Sequence, residues 1–290
     1  MEDRRKQQIE RRRQERIKRA KRKNIIIYVE TLVIIILVVA LVAVGSSYVR
    51  LKNQMNSNSS TINSSSVDSI LPNESSNSAS EQQALIEAEL NKWYMLLVNP
   101  DNSVSKDFIE NVERSEIASK YTNGNESGKY LDSRIVDAFE NMCSTAEKDD
   151  IRLVSVSAYR SYNYQLGLYN RRVERCQNEE GLSLEAAKKK AATIVALPGT
   201  SEHHLGLAVD INSVEVSFED TKAFRWLQEN AADYGFILRY PKDKQSITKI
   251  IYEPWHYRYV GVKHATAMNE LDMCMEEYIE YLKSGASQNN

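Results

Sequence analysis

The hydrophobic positions along the chain change character twice. From Thr31 to Val49 they run almost without interruption, TLVIIILVVALVAVGSSYV, and carry no charge. The run reaches back to Ile25 if Glu30 lies at its cytoplasmic edge. A hydrocarbon core of about 30 Å takes roughly 20 residues of helix, so the pattern predicts a transmembrane helix over 25–49. The apolar core of a cleaved signal is shorter, usually about 7–15 residues, which favours an uncleaved anchor. Over 50–82 the apolar positions nearly vanish: seventeen of the 28 residues from Asn53 to Ser80 are Ser or Asn. Such a segment buries too little apolar surface to offset its ordering entropy and reads as a flexible tether, with a random-coil reach of about 30–40 Å.

From residue 83 onward the apolar positions recur with the periods of folded elements. Leu85, Ile86, Leu90, Trp93, Tyr94 and Leu97 fall at helical spacing, ended by Asn99-Pro100-Asp101. A second helix is expected over 132–148, with Ile135, Val136, Phe139, Met142 and Cys143 on one stripe. Arg152–Ala158 alternates as a strand does. Helices follow over 162–178 and 183–195, a short strand over Leu207–Ile211, and a helix over 220–234. Strands are expected over 236–239 and 248–252, His256–Val260 continues the sheet, and a closing helix covers 263–283. Helices come first and strands gather late, which predicts an α+β domain over 83–283 with helices packed around a small antiparallel sheet, and a tail at 284–290.

Composition adds two constraints. The 290 residues are 42% hydrophobic, room for one ordinary domain plus extra segments. The three cysteines are widely spaced and form no CxxC, which excludes a disulfide-dense scaffold and a cysteine zinc finger; Cys143, on its helix stripe, reads as core. The net charge of −2 hides a strongly basic block, because residues 1–24 hold twelve Lys or Arg against four acids. A basic arm suits nucleic acid or a membrane surface, and the apolar run behind it decides for the membrane. The positive-inside bias then places 1–24 in the cytoplasm, against anionic lipids, and the 83–283 domain outside it, with no nucleic-acid partner.

The chemistry concentrates late in the chain. All four histidines lie between 203 and 264. An Asp within the apolar strand LAVDI must be paired or bound to a metal, and alternation puts Asp210 with Ala208 on one face and Leu207 with Val209 on the other. Catalytic zinc takes three N or O ligands and keeps a fourth position for water; His203, Asp210 and His256 can supply such a set. Glu253, three residues before His256, is a candidate base, provided that Pro254 kinks the strand so that both side chains converge. This is not the HExxH helix pattern, and on spacing alone ordinary hydrogen-bonded histidines remain the stronger alternative.

Four strings then settle the reading: SAYRSYNYQ (157–165), PGTSEHHLGLAVDI (198–211), GFILRYP (235–241) and YEPWHYRYVG (252–261). In this order they closely resemble the VanY-like D-alanyl-D-alanine carboxypeptidases, zinc peptidases related to the VanX dipeptidases and the peptidoglycan L,D-carboxypeptidases. The resemblance covers about 90–265. It implies one Zn2+ per chain on His203, Asp210 and His256, with Glu253 as catalytic acid/base and Arg160 stabilising the tetrahedral oxyanion. It also implies that Ser201, Gln165 and Trp255 line the substrate pocket, Ser201 near the peptide's terminal carboxylate. His204 and His264 fall outside this scheme and read as structural.

The expected activity is therefore removal of C-terminal D-Ala from peptidoglycan stem peptides, on the outer face of a Gram-positive cell membrane. One alternative is an L,D-carboxypeptidase acting on tetrapeptide stems; another is a non-catalytic wall-binding module of the same fold. A serine peptidase built on Ser201 lacks the SxxK arrangement.

Overall fold

In the computed structural model of the chain, residues 84–284 are described. The basic block, the expected span over 25–49, the tether and residues 285–290 lie outside them. No helix among the described residues is long and apolar enough to cross a membrane.

The described residues form an α+β fold whose centre is a four-stranded antiparallel sheet of order β3-β4-β6-β5, built from β3 (Ser155–Ser157), β4 (Ala208–Ile211), β5 (Phe236–Leu238) and β6 (His256–Tyr259). The alternation along LAVDI holds. Leu207, Val209 and Ile211 enter the main core with Phe139, Met142 and Cys143 of helix Val136–Lys148. Asp210 and Ala208 take the opposite face, in register with His256 and Arg258. Ala208 has no bulk beyond Cβ, which leaves room for the long Arg258 side chain directly across the strand pair.

Two smaller cores complete the domain. Helices Tyr162–Glu180 and Leu184–Ala192 form a hairpin turned at Gly181, which takes the left-handed φ of 67°. Their contact is small and tight, with Ala187 and Ala191 against Tyr169, Val173 and Cys176. Helices Val262–Leu271 and Met275–Lys283 pack with Ile86, Met95, Ile237 and Val260. All three cysteines are free and buried.

Several elements differ from the sequence reading. Among the described residues the N-terminal helix runs on only to residue 90 and is followed by a single 3-10 turn at Trp93–Met95. The 220–234 helix is α-helical only over Lys222–Asn230 and tightens to 3-10 at Ala231–Tyr234. The expected strand at 248–252 is absent: a short helix, Gln245–Thr248, ends at Lys249 in the left-handed region, and Ile251 N–H donates to Thr193 O instead of to a ladder. The closing helix is two helices, broken at Asp272 (φ 53°), with Cys274 and Glu277 forming a capping box for the second. A second sheet, β1 (Arg114–Glu116) against β2 (Tyr130–Asp132), was not anticipated.

That second sheet docks on the histidine segment through one glycine. Gly206 (φ 65°) accepts from Asp132 N–H at 2.9 Å, and a Cβ at 206 would stand 2.7 Å from that nitrogen. Gly206→Ala should therefore cost about 2–4 kcal/mol, from left-handed strain and a backbone clash together. Urea denaturation measures it, and a loss below about 1 kcal/mol would mean that the contact yields.

Candidate metal centre

Three segments converge on one point. His203 is carried by a 3-10 turn, Glu202–Leu205, that is tied to the chain leaving β3 by three bonds. His203 Nδ1 meets Ala158 O at 2.7 Å, Arg160 N–H donates to His203 O at 3.1 Å, and His204 Nδ1 meets Arg160 O at 2.7 Å. The first of these fixes the His203 tautomer, with the proton on Nδ1 and the Nε2 lone pair turned to the site. Asp210 and His256 are cross-strand partners on β4 and β6. His256 N–H donates to Glu253 O at 3.2 Å across a turn at Pro254-Trp255, so the expected kink is present and Glu253 lies over the same site.

One ligand atom from each of His203, Asp210 and His256 lies within 4.8 Å of the others. His203 Nε2 is 3.4 Å from Asp210 Oδ2, and His256 Nδ1 is 3.2 Å from Asp210 Oδ1. With metal–ligand bonds of about 2.0–2.1 Å, the edge of a zinc tetrahedron is about 3.3 Å. Asp210 Oδ1 is buried without a hydrogen-bond partner, as an oxygen reserved for a cation would be. The donor set, its spacing and its orphaned oxygen fit a zinc ion.

The electrostatics agree. Burial opposes ionisation of Asp210, but His203, His256 and Arg160 outweigh it and hold the carboxyl far below its ordinary range. Burial, reinforced by Arg160, lowers His203 to about 4, so it is neutral near pH 7. Burial pushes Glu253 up to about 8; His256 works against the rise and Asp210 adds to it.

Arg160 is no surface ion pair. Its Nη2 donates to Asp210 Oδ2 at 2.7 Å, its Nε to Ser157 Oγ at 2.9 Å and its Nη1 to Gln165 Oε1 at 3.4 Å. Arg160 and Asp210 open on a cleft of about 610 Å³, which Ser201 and Trp255 also line. Gln165 does not line it: fully buried, it holds Arg160 and donates to Ala196 O at 2.7 Å, so it acts on the site through the arginine. His204 is held between Arg160 O and Gly199 N–H, and His264 bonds Glu89 and Tyr278 away from the cleft. Both are structural.

Some residues of the site escaped the sequence reading. Tyr240 stacks obliquely on His256 with centroids 4.8 Å apart. Glu202, completely buried, faces His256 Nε2 from 3.7 Å with an oxygen that has no other partner. Its other oxygen accepts from Arg239 Nε at 2.8 Å and Arg258 Nη1 at 2.7 Å. The signal for Glu202 and Tyr240 was their place inside the conspicuous strings SEHHLG and FILRYP.

A family model described as VanY, D-alanyl-D-alanine carboxypeptidase, matches residues 128–262. Two solved VanY structures match across nearly their whole length. A VanY D,D-pentapeptidase from a VanB-type resistance cassette, in complex with Zn(II), is 37% identical, with a TM-score of 0.56 over 65% of this chain and 99% of that one. The chain belongs to the VanY family. VanYB in complex with D-Ala-D-Ala gives 37% identity and a TM-score of 0.57, over 65% of this chain and 98% of that one. The LdcB L,D-carboxypeptidase gives 36% and 0.56, over 64% and 86%. Among curated VanY relatives, a D-alanyl-D-alanine carboxypeptidase of Enterococcus faecalis is 37% identical over 65% of this chain and 66% of its own length. The chain spans about half to two thirds of the first curated relatives it matches.

Two outcomes follow from this geometry. Glu202→Gln keeps the shape but leaves two buried arginines undercompensated and His256 without its carboxylate, so zinc affinity should fall about 10–100-fold in a chelator competition. Because Glu253 is raised above its unfolded value of about 4.3, its protonated form adds stability that is complete below that value and lost as pH rises through about 8. In the metal-free chain, Glu253→Gln should gain stability over the parent from pH 5 to pH 8 and then level off. Urea midpoints at pH 5, 7 and 9 read this; a constant difference would contradict the raised value.

Proposed function

We propose that the chain is a membrane-anchored zinc carboxypeptidase that removes the C-terminal D-Ala from peptidoglycan stem peptides. The observation that carries this reading is the convergence of His203, Asp210 and His256 with Glu253 and Arg160 in one cleft, in a chain of the VanY family. Zinc held by the three ligands would supply Lewis acidity at the scissile carbonyl and make a water acidic enough to attack near neutral pH.

The chain's own groups do the rest. Glu253 Oε2, 3.6 Å from His256 Nδ1, takes the proton of the attacking water and returns it to the leaving amine nitrogen. Its raised affinity for a proton suits a group that must both accept and donate near neutral pH. The Arg160 guanidinium, held by Ser157 and Gln165, donates to the oxygen that becomes negative as the carbonyl is attacked. Losing such a donor costs about 10²–10³ in rate. Trp255 and Tyr240, both buried, narrow the cleft and limit water around the reacting atoms.

The apolar run over 25–49 and the basic block before it support an anchored protein with 1–24 in the cytoplasm against anionic lipids, and the catalytic domain on the outer face. A tether over 50–82 suits a polymeric substrate held above the membrane. The likeness to LdcB keeps an L,D-carboxypeptidase as the second reading.

Incubation with purified pentapeptide and tetrapeptide stems tests the proposal. D-Ala should be released from the pentapeptide, with release abolished by EDTA, restored by zinc and reduced about 10²–10⁴-fold by Glu253→Ala. Release from the tetrapeptide alone would move the assignment to L,D specificity. Absence of release from either, with zinc bound, would favour a wall-binding module.

A further inference from the structure

The cleft is longer than a terminal D-Ala needs, and its outer part is cationic. Helix Tyr162–Glu180 contributes Leu168, Arg171, Arg172 and Arg175 to the lining. These positions are three, four and seven residues apart, one stripe on one helix face. The same face carries Gln165, which bonds Arg160 and so marks the catalytic end of the stripe. The acids lining the cleft are Asp210 and Glu253 of the candidate metal centre and Glu215.

The three arginines are poorly neutralised by their own helix. Arg172 Nη2 is 3.7 Å from Glu180, whose other oxygen is held by Lys190. Arg172 Nε is buried with no hydrogen-bond partner. Arg175 meets Glu179 only at 3.5 Å, and both are exposed. Arg171 folds back over Gly167, its Nη1 3.2 Å from where a Cβ at 167 would lie, so it reaches toward the catalytic end. A buried guanidinium nitrogen without a partner, beside two exposed arginines in the same cleft lining, suits the receipt of carboxylates.

Distance identifies the part of the substrate they meet. At about 1.5 Å per residue, Arg171, Arg172 and Arg175 lie about 9–15 Å along the helix from Gln165, less the backward lean of their side chains. An extended peptide covers about 3.3–3.6 Å per residue. A carboxypeptidase has only one residue beyond the scissile bond, so a stripe of this length can face only the retained portion. We propose that Arg171, Arg172 and Arg175 form a carboxylate-recognising subsite that selects peptides with free carboxylates on the second to fourth residues before the scissile bond. The anion belongs to the substrate itself, because the arginines line the same cleft as the ligand set. The inference rests on the carboxypeptidase reading and deepens it.

Binding tests it independently of turnover. The full zinc-loaded chain carrying Glu253→Gln is titrated, by fluorescence anisotropy, into two labelled peptides ending in D-Ala-D-Ala. One has free carboxylates on the second and third residues before the scissile bond, and its twin has both amidated. The free acid should bind about tenfold tighter, with a preference that shrinks as salt rises. Adding Arg172→Gln and Arg175→Gln should bring the ratio near one, while Arg172→Lys and Arg175→Lys should keep most of it. Equal binding of the twins, or a preference untouched by the Gln pair, overturns the subsite. The parent chain, with Glu253 intact, is assayed for D-Ala release from both peptides. Release without discrimination fails the subsite alone, whereas absence of release fails the carboxypeptidase reading.

Discussion

One buried carboxylate constrains the whole arrangement. Glu202 is fully inaccessible and lies between Arg239 and Arg258, which are equally buried. Arg239 goes on to pair both nitrogens of its fork with Glu276 on the last helix. Arg258 donates to the carbonyls of Tyr94 and Leu96 in the N-terminal segment. Both ends of the described chain are thereby tied to the turn that presents His203. Burial raises the cost of ionising Glu202, yet the two arginines, with His256, hold its carboxyl far below the ordinary range. Taking such charges out of water is expensive, and replacing a buried network by apolar groups is often neutral or stabilising. What an apolar replacement would not provide is the second oxygen, aimed at His256. The network makes sense as a device that orients a ligand.

The site itself is a consequence of strand register. Asp210 and His256 face each other because β4 and β6 pair at that position, and a slip of one residue would send both into the apolar core. His203 cannot come from the sheet, so it is placed by bonds to the segment just after β3. The same bonds position the Arg160 backbone, whose side chain reaches back to Asp210. The candidate ligand His203 and the arginine that pairs with Asp210 are thus fixed by one set of main-chain contacts.

The legible parts of the sequence were those where chemistry and periodicity coincided. LAVDI announced both its strand and its carboxylate, because an acid amid four apolar residues has few explanations. His203, Glu253 and His256 were readable from their strings, and the site took shape around them. Backbone detail was less accessible. Ile250 and Ile251 look like strand residues, but Lys249 adopts a left-handed conformation and Thr248 bonds Ile250 locally, so the apolar run packs as a loop. The break at Asp272 has neither Gly nor Pro to mark it. β1 is RSE, exposed throughout, and without a buried face there is no alternation to read. Glu202 was hidden for the opposite reason: a charged residue gives no hydrophobic signal that it will be buried.

Helix Tyr162–Glu180 shows how one element can serve two distances. Ser161 caps it by accepting from Tyr164 N–H, which fixes where the first turn begins. That choice puts Gln165 against Arg160, and helical geometry then determines which later residues share its face. Shifting the cap by one residue would rotate the helix about 100° and take Gln165 from Arg160 and the three arginines from the cleft together. On the proposed reading, chemistry at the scissile bond and contact with the distant part of the peptide are set by the same capping contact. The hairpin partner, Leu184–Ala192, holds that rotation through Ala187 and Ala191, where anything larger would push the helices apart. On that reading the fold keeps reaction and recognition in phase by the rigidity of a single helix, not by two independently placed loops.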